Sequence, residues 1–266
     1  MLVTVMSYVR ETPDTRRESP KLLELVSIAI RARHYSRRTE VSYKRWIKRY
    51  ILFNDKRHPV EMGEKEVVRF LSYLATKRRV SASTQNQALS AILFLYREVL
   101  KRDLNWLDGI VRAKRPQRLP VVLTHDEVQE VLIHMQGVPL LMASLLYGAG
   151  MRLLECARLR IKDVDFSRGE ITVRDGKGRK DRVTLLPSRL NDPLIGYIFR
   201  IRAQHDKDLR RRRGSVALPD ALSRKYPGAS REWAWQWVFP ATRFYRDGDT
   251  GEYRRHHLHE AVLQRA

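Results

Sequence analysis

A single cysteine, Cys156, in 266 residues excludes an internal disulfide and a cysteine-based metal cluster. No apolar run approaches the ~20 residues that a membrane helix needs. Met1–Val9 is also too short and too weakly basic to read as a secretory leader. Acidic residues are the other shortage: 30 Asp and Glu against 52 Lys and Arg leave a net charge of +22. Such an excess is the electrostatic footprint of a protein that meets a polyanion, nucleic acid first. The expectation is a cytoplasmic DNA-binding protein without a membrane role. The excess is uneven. Residues 21–115 carry 22 basic and 9 acidic side chains, whereas residues 116–266 carry 27 and 18.

Read in order, residues 1–18 form a polar arm with no net charge, and residues 19–103 form a small helical bundle. Ser19-Pro20 has the pattern of an N-cap followed by proline at the first helical position. Leu22, Leu23, Val26 and Ile30 follow at helical spacing. A second helix after Ser36 offers Val41, Trp46, Ile47 and Tyr50 to the core. A third, about Glu64 to Ala75, offers Val67, Phe70, Leu71 and Leu74; a fourth starts near Ser81–Thr84. The rims carry Arg37, Arg38, Lys44, Arg45, Lys48 and Arg49, the expected DNA-facing side chains. Residues 104–122 form a basic connector in which Arg112, Lys114 and Arg115 precede Pro116; proline stops a helix from passing through.

Residues 123–266 form the second expected domain. Thr124-His-Asp-Glu127 is a capping box, with Leu123 and Val128 placed as a hydrophobic staple. An apolar helix from Leu140 ends in Tyr147-Gly148-Ala-Gly150, and Arg152 and Glu155 follow at helical spacing. A guanidinium at a helix start beside a glycine turn suits a phosphate, since free N–H groups there also favour an anion. From Val164 the period changes to that of strands. A hairpin with Asp175-Gly-Lys177-Gly at its tip is expected, with Lys180 and Arg182 beyond it. A helix over about residues 191–209 follows. His256 and His259 have a spacing that metal ligands also show, but in a basic helix it marks a solvated or DNA-facing surface, and no metal site is expected.

Gly148, Gly150, Arg152, Glu155, Leu159, Asp163 and then Lys177 resemble, in order and spacing, the first half of a tyrosine recombinase (phage-integrase family) active site. The resemblance implies a mostly α fold with a small antiparallel β-sheet, made of a helical core-binding domain and an α+β catalytic domain. It implies Arg152 as the phosphate clamp and Lys177 as the proton donor, with Lys180 the alternative. Glu155 and Asp163 then support Arg152. The reaction it implies is attack of a tyrosine on DNA to give a 3′-phosphotyrosine, without metal or cofactor, by a tetramer on DNA that is monomeric when free.

A segment at about 214–245 has no place in a minimal recombinase. Arg224-Lys225-Tyr226 and Arg231-Glu-Trp233-Ala-Trp235-Gln-Trp237-Val-Phe239-Pro240 resemble the helical insertion of integron integrases. That subfamily recombines folded single-stranded cassette sites, which implies that these residues read unpaired bases. The aromatics also suit packing against a sheet, and both readings stand on sequence alone. After the hairpin no H-x-x-R occurs, and Tyr245 and Tyr253 precede the place where it belongs. The expectation is therefore a C-terminally truncated recombinase that binds DNA and does not cut it. The rival readings are a fragment completed in trans by another chain and a non-catalytic regulator.

Overall fold

The computed structural model describes residues 20–104, 109–114, 119–176, 180–219 and 222–266. The chain divides into two compact units, Met1–Pro120 and Val121–Ala266. Helices dominate, and the antiparallel strands lie in the second unit, so the expected fold class is found. No helix among the described residues is long and apolar enough to cross a membrane.

In the first unit, α1 (Leu22–Ala32), α2 (Arg37–Phe53), α3 (Glu64–Thr76) and α4 (Ala82–Phe94) follow the apolar periodicity, and a wider turn at Leu95–Val99 continues α4. Ser36 and Ser81 cap α2 and α4 by accepting the N–H of Thr39 and Thr84. Ser19 lies outside the described residues. The cap of α1 is Lys21, whose own N–H donates to Glu24 at 3.1 Å. Val26, Ile30, Ile47, Phe94 and Leu95 form one apolar cluster. A second is built on Tyr50, Phe70, Leu71, Leu74, Ile92 and Tyr96. The Tyr50 and Tyr96 hydroxyls meet at 3.0 Å, which satisfies two polar atoms that the core would otherwise orphan. Val41 departs from expectation: it is 63% exposed, because the buried stripe of α2 begins at Glu40 and resumes at Trp46.

In the second unit, the Thr124–Glu127 capping box forms as read and starts α5 (His125–Ile133). The staple does not close on Leu123, which stays half exposed. Helix α6 (Gly137–Gly148) buries Leu141, Met142 and Leu145 against Ile171, Val173, Leu194 and Phe239. Helix α7 (Leu153–Ala157) is shorter than expected, and β1 (Val164–Asp165), β2 (Glu170–Val173) and β3 (Arg182–Leu185) form a three-stranded antiparallel sheet. Ile171 and Val173 point inward as their alternation requires. Helix α8 (Asn191–Arg210) leads to the segment expected as a helical insertion.

That segment is mostly not helical. A one-turn helix α9 (Leu222–Lys225) and tight turns at Pro227–Arg231 and Trp233–Trp235 run into β4 (Pro240–Arg246). Strand β4 pairs with β5 (Tyr253–His257) in a second hairpin, and α10 (Glu260–Gln264) follows. The histidines are therefore not on a basic helix: His256 is in β5, and His259 caps α10.

The two glycines before Arg152 serve different needs. Gly150 has φ +59, a left-handed conformation that side chains disfavour. At Gly148 a Cβ would lie 2.6 Å from Pro187 Cγ, so the close approach there is made by the protein itself. Gly148→Ala is expected to lower the melting temperature of the second unit by several degrees. Overpacking costs about 1–3 kcal/mol, at roughly 2–4 °C per kcal/mol for a protein of this size. An unchanged thermal melt would contradict this contact.

Candidate nucleic-acid interface

The turn at Gly150 delivers Arg152 in an extended conformation as the N-cap of α7. Glu155, one turn on, folds back: its carboxylate accepts the Arg152 N–H at 2.9 Å and Arg152 Nη1 at 2.7 Å. Arg182, on β3, donates to the same carboxylate at 2.8 Å and to the Gly150 carbonyl at 3.2 Å. Its neighbour Thr184 holds the Ala149 carbonyl at 2.8 Å. The Glu155 side chain is 7% exposed. The Arg182 bond, reinforced by the Arg152 N–H and guanidinium, holds its carboxyl down at about 2 against the cost of burial. Two guanidiniums thus share one ionised carboxylate, a net cation, and Arg152 keeps 58% of its side chain open to solvent. Glu155 takes the N–H of the N-cap residue Arg152, while the Arg152 guanidinium stays open to an anion. Arg182, expected on the DNA, is bonded to Glu155 here and keeps 35% of its side chain exposed.

Asp163 was expected beside Arg152. It is 5% exposed and accepts Arg174 Nε at 2.7 Å, so it fixes Arg174 at the end of β2. Asp181 reaches the same guanidinium at 3.4 Å and accepts the Asp175 N–H at 3.0 Å. Gly176 N–H donates to the Lys180 carbonyl at 3.2 Å, closing the base of the hairpin. A Cβ on Gly176 would sit 3.3 Å from Glu155 Oε1, so the hairpin base lies against the Arg152–Glu155 pair. Lys177 lies outside the described residues; Lys180 is described and exposed. Arg174 was not among the expected site residues, although its signal is there: it directly follows β2, in the outward phase of its alternation, three residues before Lys177.

Arg152, Glu155, Asp163 and Arg174 line an open groove of about 350 Å³, together with Trp235 and Trp237. The aromatic segment divides. Phe239 is fully buried beside Tyr197, with ring centroids 5.5 Å apart, and Trp237 is 7% exposed with its Nε1 donating to the Arg255 carbonyl. These two are packing residues in this structure, and Pro240 is paired in the β4–β5 ladder. Trp233, beside His205 and Arg202, and Trp235 are half-buried. Arg224, Lys225, Tyr226 and Arg231 are exposed; Lys225 lies over Tyr226, and Arg231 pairs with Glu252 at 3.3 Å.

In the first unit, Arg37, Arg38, Arg45 and Lys48 are exposed on α2. Lys44 donates to Ser27 at 3.0 Å, and Arg49 lies over Trp46 at 4.4 Å. Of the connector, Arg112 and Lys114 are exposed, while Arg115 lies outside the described residues. Gln85 bonds the Val111 carbonyl and the Ala113 N–H, tying this stretch to the helices.

Residues 22–106 match the family described as phage integrase, N-terminal SAM-like domain, and residues 121–209 match the phage integrase family. An integrase/recombinase of Escherichia coli is 48% identical over 248 residues, covering 93% of this chain and 74% of the relative. The tyrosine recombinase XerA of Thermococcus kodakarensis is 33% identical over 160 residues, 59% of this chain and 54% of the relative. Among solved structures, the Tn1549 transposon integrase in complex with transposon right end DNA has a TM-score of 0.52 at 14% identity. It covers 83% of this chain and 71% of that one, a likeness of fold. The chain belongs to the phage integrase family of tyrosine recombinases.

Proposed function

We propose that this chain is of the integron type of site-specific DNA recombinase and binds, in the cytoplasm, folded single-stranded cassette sites and a duplex integron site. The observation that carries the reading is a single groove that holds both Arg152 and the Trp235 wall. A planar guanidinium suits the charge that accumulates on non-bridging phosphate oxygens, and an aromatic face suits an unpaired base. Arg152 grips the phosphate, Glu155 and Arg182 orient Arg152, and Asp163 orients Arg174. Lys177, with Lys180 as alternative, has the role of proton donor to the leaving oxygen, the general acid of this chemistry. No metal or cofactor enters this chemistry. The family resemblance implies a tetramer on DNA and a monomer when free.

In this reading residues 1–266 bind DNA without cutting it. Arg152 and Lys177 would stabilise the transition state, but after the hairpin no tyrosine of residues 1–266 follows an H-x-x-R, the order that the family resemblance requires of the nucleophile. The 266-residue polypeptide is incubated with end-labelled cassette-site DNA carrying a nick that traps a covalent complex, then run on a denaturing gel. No protein–DNA adduct is expected. An adduct that disappears in Arg152→Ala would contradict the reading and make Tyr245 and Tyr253 the first suspects.

A further inference from the structure

Arg160 lies eight residues past Arg152 and is only 8% exposed. Its guanidinium donates to two main-chain carbonyls far along the chain, Trp235 at 2.6 Å and Ala217 at 2.8 Å. Its Cζ lies over the Trp237 ring, 3.8 Å from the centroid, and 5.5 Å from that of Trp235. The backbones are joined as well: Arg160 bridges Trp237, Ile161 N–H donates to Gln236, and Val238 N–H donates to Leu159. Lys162, on the same segment, sets its ammonium 3.6 Å from the centre of the Trp235 ring.

Burying a cation is costly unless its donors are met. An apolar side chain would pack on Trp237 equally well, but it would not hold the carbonyls at 217 and 235. What the charged group adds is a fixed distance between the segment bearing Arg152 and the segment bearing Trp235. Burial lowers the Arg160 guanidinium to about 10, still charged at neutral pH, so both bonds persist there.

We propose that Arg160 is a positioning residue for base recognition, holding Trp235 where an unpaired nucleobase next to the phosphate on Arg152 meets its ring. This rests on the folded-DNA reading above. The ligand class is an extrahelical base attached to a gripped phosphate.

Arg160→Lys keeps the charge but loses the planar fork that serves two carbonyls and a ring together. The probe is a DNA hairpin with one extrahelical 2-aminopurine, measured against the same hairpin fully paired. The parent is expected to quench the probe and to prefer the bulged hairpin about tenfold, in line with the strength of stacking on an aromatic side chain. In Arg160→Lys the ratio of the two affinities is expected to fall close to one and the quenching to be lost. A folded Arg160→Lys protein that keeps both would overturn the proposal. Should that variant melt early, Trp237→Phe, which trims the indole beneath the guanidinium to a single six-membered ring, is expected to reduce the ratio in the same direction; an unchanged ratio overturns it. Should the parent itself show no preference, the folded-DNA reading fails on its own. Arg160 is then judged by acrylamide quenching of tryptophan in the unbound protein, expected to rise in Arg160→Lys and overturning the positioning role if it does not.

Discussion

Changing Lys44, Arg45, Lys48 and Arg49 together to glutamine is expected to lower DNA affinity by two to three orders of magnitude at low salt. Contacts to charged groups contribute about 1 kcal/mol or more each, and four are removed. The slope of log affinity against log salt is expected to flatten by about 4, one for each cation that no longer displaces a counterion from a phosphate. Arg45 and Lys48 are exposed, while the Ser27 bond and the Trp46 ring hold Lys44 and Arg49 in place. Ordering two of the four before binding reduces the entropy lost on the DNA. None of them belongs to the apolar clusters of the first unit, so the variant should stay folded, with its melt lowered by several degrees through loss of the Ser27 and Trp46 contacts. A salt titration that keeps the parent's slope would place the DNA elsewhere.

Glu155→Ala is expected to destabilise the second unit by roughly 2 kcal/mol. Breaking a fully buried pair costs about 3–5 kcal/mol. Here the stranded partners, Arg152 and Arg182, are 58% and 35% exposed, so water screens part of that loss. The melting temperature should fall by about 4–8 °C. The pH dependence has a definite sign. The folded carboxyl titrates at about 2, below its ordinary 4.5, so its contribution to stability is complete above about pH 4.5. It is lost as the pH falls towards 2. The parent should therefore lose stability on acidification through that window, and Glu155→Gln should lose less there because it has no charge to neutralise. Equal acid sensitivity in parent and variant would show that the carboxylate is not held by its arginines.

What could be read from the sequence was local. Arg152 and Glu155 are three residues apart, so helical geometry alone brings carboxylate and guanidinium together, and the Thr124 cap rests on the same spacing. The left-handed turn at Gly150 follows from the residue type. Arg182 is 27 residues from Glu155, and its role depends on the β2–β3 register, Val173 opposite Arg182, which no periodicity specifies. Asp163 and Arg174 pair for the same reason. The helical insertion that the resemblance implied is broken by tight turns at Pro227–Arg231 and Trp233–Trp235, so the aromatics there follow neither a helix nor a strand period. Which tryptophan is buried was settled by Arg160 and by the backbone bridge at Trp237, contacts from about 75 positions away.

The most direct test of the account is a competition between a cassette-like hairpin with one extrahelical base and a fully paired hairpin of equal length, scored beside thermal melts of parent and Trp235→Ala. Stacking contributes about 1–3 kcal/mol per base, so the parent should bind the bulged hairpin tenfold or more tightly, and Trp235→Ala should lose that preference while its melt is preserved. Equal affinity of the parent for the two hairpins would contradict the reading of the Arg152 groove as a site for folded single-stranded DNA.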